Sequence, residues 1–140
     1  MDNILVRLLT EKDAGQVDTM DSLSGFYVGQ WLEDNSDYAY GAFINGELAG
    51  YCTVGGADDV SITIMDDSNY SPESLLLSDV FVKAKYRHDG LATKMLKETC
   101  RQRVTDETLY CEPIHPSLYD LYKRIGFKKI DDYTLVKVPA

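Results

Sequence analysis

Between Leu75 and Val104 the chain changes its hydrophobic period once, across a short basic loop, and that change limits the folds open to it. Leu75 to Val82 reads as a strand, which breaks at Ala84-Lys85-Tyr86. From Gly90 to Val104, Leu91, Ala92, Met95, Leu96, Cys100 and Val104 line one helical face, with Lys94, Lys97, Glu98 and Arg101 on the other. A helix start leaves unpaired N–H groups and a positive dipole end facing the loop, where a pyrophosphate can be held. Gly90 lets the backbone approach phosphate oxygens, Ala92 is nearly as small, and Arg87 adds a fixed charge. The spacing R-x-x-G-x-A is a weak pattern alone and more often marks a helix-capping turn; here it has the strand before it and the helix after it.

The rest of the chain fits an alternation of strands and helices. Ile4 to Leu9 is a strand running into Thr10-Glu11-Lys12-Asp13, a helix N-cap in which Asp13 stands in for the usual Glu or Gln. Ala14, Val17 and Met20 follow at helical spacing, and a second short helix is expected from Gly25 to Glu33, anchored by Phe26, Trp31 and Leu32. Tyr38 to Ile44 and Leu48 to Val54 are strands joined by the hairpin signal Asn45-Gly46-Glu47. Val60 to Met65, between the acidic pairs Asp58-Asp59 and Asp66-Asp67, reads as a strand. Thr108 to Ile114 is another. Pro116 then opens a helix carrying Leu118, Leu121, Tyr122 and Ile125 on one face, and Gly126 ends it. Phe127 to Ile130 and Tyr133 to Val138 supply the last strands. This order predicts an α/β or α+β domain, a mixed sheet with helices on both faces. A chain of 140 residues buries about 70% of its unfolded surface, enough for a core without disulfides or metal.

Charge narrows the partners. The net charge is −9, but residues 1–82 hold two basic side chains against fifteen acidic ones, while residues 83–140 hold twelve against eight. One half suits an anionic ligand and the other a cationic one; chance placement for solubility is the plain alternative. Nucleic acid is disfavoured, because the acidic half would repel phosphates. No apolar run approaches a membrane span or a signal-peptide core. Cys52, Cys100 and Cys111 cannot all pair and form no C-x-x-C or Cys/His cluster, so no metal site is expected; Cys100 and Cys111 read as buried small hydrophobes of a reduced, cytoplasmic protein. Asp67-x-Asn69-x-Ser71 is not a calcium loop, since Pro72 stands where glycine is required and Ser78 where the bidentate glutamate belongs.

Val80 to Ala92, followed by Thr93-Lys94-Met95-Leu96, resembles the acetyl-CoA-binding motif of the GCN5-related N-acetyltransferases, the GNAT family. Val6 to Ala14 is similar to that family's opening strand and helix, and Leu121-Tyr122-Lys123-Arg124-Ile125-Gly126-Phe127 to its L-Y-x-x-x-G-F motif. The resemblance covers residues 3–138 in element order and is specific over 75–127. It implies one GNAT-like domain over 1–140, with a mostly antiparallel central sheet. It also implies acetyl-CoA as cosubstrate and a small-molecule or peptide amine as acceptor, and leaves a homodimer open. Val80, Phe81 and Val82 would bind the pantetheine arm, with a backbone N–H near Val82 polarising the thioester. Arg87, His88, Asp89, Gly90, Leu91 and Ala92 would hold the pyrophosphate, and Tyr122 would protonate the departing thiolate. Ala84 replaces the family's usual proline and Ala92 its commoner second glycine, and His115 stands where many members place an asparagine contacting CoA. The short tail after Phe127 implies a trimmed final hairpin.

Several residues carry two readings. Tyr122 is an acid catalyst or a packed core ring; Asp79 is a proton acceptor or a solvated strand residue; Glu112 is the weaker base candidate. His88 reads as a phosphate neighbour or a solvated loop residue rather than a general base, His115 as a helix-entry residue rather than a catalyst, and Tyr27 and Trp31 as core or as acceptor-cleft lining. The activity implied is N-acetyl transfer to a cationic primary amine. A non-catalytic acyl-CoA sensor or docking module, and an unrelated phosphate-binding domain, are the alternatives.

Overall fold

The computed structural model describes residues 3–32, 38–57, 60–113 and 118–139. Strand β1 (Ile4–Leu8) leads to helix α1 (Ala14–Ser24), and then to β2 (Ala39–Ile44) and β3 (Glu47–Gly56). Helix α2 (Ile62–Met65), β4 (Leu75–Val82), α3 (Leu91–Arg103), β5 (Leu109–Cys111) and α4 (Tyr119–Arg124) follow, and β6 (Lys128–Lys129) and β7 (Leu135–Lys137) close the chain. The seven strands form one sheet in the order β1-β2-β3-β4-β5-β7-β6. Among the described residues, only β4 and β5 run parallel; every other neighbouring pair is antiparallel. Among the described residues, no helix is long and apolar enough to cross a membrane.

Alternation along the strands feeds two cores. Tyr40, Ala42 and Ile44 of β2 pack with Met95, Leu96 and Tyr122 from α3 and α4, whereas Phe43 packs with Val17, Met20, Leu48 and Tyr51 on the α1 side. Helices therefore cover both faces. The Thr10–Asp13 capping box forms as the sequence predicts, with Asp13 also receiving two hydrogen bonds from Arg7 at 2.8 and 2.9 Å. The guanidinium lies 4.2 Å from the Phe43 ring centre, so one residue joins β1, α1 and the core beneath them.

Two expected elements are corrected. The helix expected from Gly25 to Glu33 is a single 3₁₀ turn at Gly29–Trp31, with Glu33 outside the described residues. Asp21 explains this: its carboxylate takes the N–H groups of Val28 and Gly29, offering the backbone an alternative to helix. The strand expected over Val60–Met65 is the one-turn helix α2, capped by the Ser61 hydroxyl on the Ile64 N–H. Ile64 is buried there while Ile62 and Met65 face outward. Pro116 and the acidic pair Asp58-Asp59 lie outside the described residues. The final hairpin is retained in short form, with strands of two and three residues.

Candidate active site

The site begins where β4 leaves its neighbour. Its parallel pairing with β5 covers Leu75 to Leu77 only, and among the described residues no strand pairs with that edge beyond Leu77. On the other edge the register skips: Tyr51 faces Phe81 and Thr53 faces Ser78, so Asp79 and Val80 together oppose Cys52 alone. This is a β-bulge, and Asp79 adopts φ 52° within it. The splay opens two cavities.

The larger, about 670 Å³, has Val80, Phe81, Val82, Arg87, His88, Gly90, Leu91 and Ala92 in its wall. All eight were singled out from sequence. Asp89 is exposed and absent from the wall, and His115 lies outside the described residues. The loop is built for its place. A 3₁₀ turn at Ala84–Tyr86 follows β4, and Gly90 then turns into α3 at φ 80°, a left-handed conformation that L side chains adopt at a cost. The first amide α3 uses is Lys94 N–H, donating to Gly90 O at 3.1 Å, which leaves those of Leu91, Ala92 and Thr93 aimed out of the helix end. Arg87 is locked beside them: its Nε donates to Val82 O at 2.8 Å, and its guanidinium sits 5.2 Å from the Phe81 ring centre. Arg124 of α4 also lines this groove, a residue that sequence reasoning passed over. Its place one turn past Leu121 on the last amphipathic helix was the available signal. Lys83 and Lys85 are engaged elsewhere, both on Glu47 at 3.0–3.3 Å, so the groove's charge comes from Arg87 and Arg124 rather than the whole basic stretch.

The smaller cavity, about 150 Å³, brings together Asp79, Glu112 and Tyr122, with Phe26, Leu77, Val80, Cys111 and Leu118 around them. Burial pushes the Asp79 carboxyl above the usual carboxylate range; a 3.1 Å hydrogen bond from Thr53 pulls it back, and the charge of Asp21 adds to the rise. Tyr122 is 2% exposed, its ring edge-on to Phe127 and its side chain beside Cys111 in the chamber wall. Burial foremost, then Cys111, raises its pKa, so it stays protonated at neutral pH. Burial likewise pushes the Cys111 and Cys52 thiols up to about 12, which makes them poor nucleophiles. Tyr27 and Trp31 are exposed and enter neither wall.

A groove ending on a helix N-terminus, joined at Phe26, Val80 and Leu118 to a chamber holding two carboxylates and a tyrosine, suits group transfer from a long anionic donor. A family model described as the acetyltransferase (GNAT) family matches residues 7–127. The chain belongs to that family.

Solved structures show the same fold. A GNAT-family acetyltransferase from Streptococcus agalactiae superposes with TM-score 0.71 at 16% identity, covering 98% of this chain and 96% of that one. Diaminobutyrate acetyltransferase from Paenibacillus lautus, solved with L-2,4-diaminobutyric acid and coenzyme A, gives 0.68 at 14%, covering 99% and 96%. Arabidopsis thaliana NAA60 with acetyl-CoA gives 0.65 at 19%, covering 96% and 97%. No curated protein matches the chain in sequence.

Proposed function

We propose that this protein transfers acetyl from acetyl-CoA to a cationic primary amine by direct attack in a ternary complex. The observation that carries the reading is the junction of the two cavities. A CoA chain with its pyrophosphate at Leu91–Thr93 and its arm along the open edge of β4 would bring its thioester to Val80, beside Asp79, Glu112 and Tyr122. Relatives of this fold solved with coenzyme A or acetyl-CoA support the cosubstrate.

An alkylammonium of pKa about 10.4 must lose a proton before it attacks, at about 4.6 kcal/mol at pH 7. Asp79, its affinity for protons raised by burial, is the acceptor of that proton, with Glu112 as the alternative relay. The amine nitrogen bonds to the thioester carbon, the carbon–sulfur bond breaks, the nitrogen gives up its second proton to solvent, and the thiolate takes a proton from Tyr122. The Tyr122 hydroxyl recovers it from solvent. A sensor that only bound acyl-CoA would need the groove but not this convergence of proton-transfer groups.

The test is release of free CoA from acetyl-CoA with a panel of amines: a polyamine, a lysine-containing peptide, a free N-terminal peptide and a neutral amine. Turnover with a cationic member is expected. Tight acetyl-CoA binding with no turnover on any amine would replace the enzyme by a sensor.

A further inference from the structure

Phe26 has an unusual place: with Val80 and Leu118, it belongs to the walls of both cavities. Val80 is fixed by β4 and Leu118 caps α4, but Phe26 sits on an irregular turn after α1. That turn is tied down from inside. Gly25, at φ 80°, ends α1 and donates to Asp21 O at 2.9 Å. The Phe26 N–H donates to Ser24 Oγ at 3.1 Å, and Ser24 Oγ lies 2.6 Å from the Tyr51 hydroxyl. Tyr51 donates to Asp21 Oδ1 at 2.6 Å, and the same carboxylate accepts the N–H groups of Val28 and Gly29 at 3.2 and 2.9 Å. Tyr51 is fully buried on β3, and its ring stands 6.5 Å from Phe26 and 6.4 Å from Phe81. A sheet residue thus sets the position of a loop residue at the point where the cavities meet.

We propose that Phe26 determines which acyl group the site accepts, and that Tyr51, Asp21 and Ser24 are the positioning residues that hold it there. The inference rests on reading the groove as the acyl-CoA site. The acyl group then lies at the junction, and the chamber beyond it, about 150 Å³, must take both the acyl group and the amine. A chain longer than acetyl meets the Phe26 ring, and a ring anchored through Tyr51 does not yield. An unanchored loop would swing aside and blunt the selection.

The experiment measures dissociation constants for acetyl-, propionyl- and butyryl-CoA by titration calorimetry on the full chain without amine, and kcat/KM for each with the best amine. Wild type should favour acetyl-CoA. Phe26→Ala should shift the butyryl-to-acetyl ratio by about tenfold or more, since a methylene in an apolar pocket is worth about 10–200-fold. Tyr51→Phe keeps the ring and removes the hydroxyl; it should move the ratio the same way by a smaller factor. Leu23→Ala, on the exposed side of α1, should leave it unchanged. If Phe26→Ala does not fold, Phe26→Leu carries the same comparison. An unchanged ratio in a Phe26 variant that still binds acetyl-CoA overturns the selection role. A shift in Phe26→Ala without one in Tyr51→Phe overturns the anchoring role. A wild type that binds no acyl-CoA overturns the reading of the groove on which both depend.

Discussion

Under the proposed mechanism, Tyr122 serves packing and chemistry at once. Its ring meets Phe127 at 5.6 Å between centres and is buried in the larger core, so half of its role is structural. Its side chain also lines the chamber, next to the Cys111 thiol. Phenylalanine separates the two roles, because it keeps the ring and removes only the oxygen. In Tyr122→Phe, kcat should fall about 10²–10⁴-fold, or about 3–5 kcal/mol of barrier, with acetyl-CoA affinity nearly intact. Melting temperature should move little, since no buried N–H or carboxylate loses a partner. Undiminished kcat, in an assay limited by chemistry, would leave Tyr122 with packing alone.

At the scale of elements, the β4–loop–α3 unit was legible because its signals are local: a change of hydrophobic period, a basic loop, and a glycine at the helix start. The capping box at Thr10 was legible for the same reason. The bulge at Asp79 was not, because the skipped ladder position depends on which residue of β3 lies opposite, and Cys52 sits some 27 positions away in the chain. The missing helix after Gly25 and the helical turn at Ile62 failed alike. In the first, Asp21 competes for backbone N–H groups; in the second, Ile62 and Ile64 two apart imitate a strand, while Ser61 caps a turn. The Gly90 turn gives a prediction at this scale. A Cβ there would meet nothing within 4 Å, so only the positive φ resists substitution. Gly90→Ala should cost about 1–2 kcal/mol of stability, the penalty for an L-residue in the left-handed region, and keep acetyl-CoA stabilisation. Gly90→Glu adds a carboxylate where the pyrophosphate is expected and should abolish that stabilisation. In wild type it should reach about 2.7 kcal/mol at 100 times the dissociation constant, read by thermal denaturation. Equal stabilisation of both variants would move the phosphate site away from α3.

Across the whole molecule, the division of charge along the chain becomes a division between the two cavities. Arg87 and Arg124 stand in the wall of the larger, while the smaller has Asp79 and Glu112 and, among the described residues, no lysine or arginine in its wall. The fold also trims the basic stretch, since Glu47 takes up Lys83 and Lys85 and Glu98 pairs with Arg101. What remains is a groove suited to an anionic donor opening on a chamber suited to a cationic acceptor. Because residues 1–82 carry a surplus of thirteen acidic side chains (fifteen less two), the field around the chamber should draw in ammonium groups and turn away carboxylate-rich amines. Screening then makes the acceptor class measurable. The Debye length shrinks from about 10 Å at 0.1 M salt to about 3 Å at 1 M, so KM for a polyamine or a basic peptide should rise across that range. KM for a neutral amine of similar size should stay flat, and kcat should change little for either, since the proposed reacting groups line the chamber. A preference for neutral or anionic amines, with KM indifferent to salt, would overturn the cationic acceptor and leave acetyl transfer itself intact.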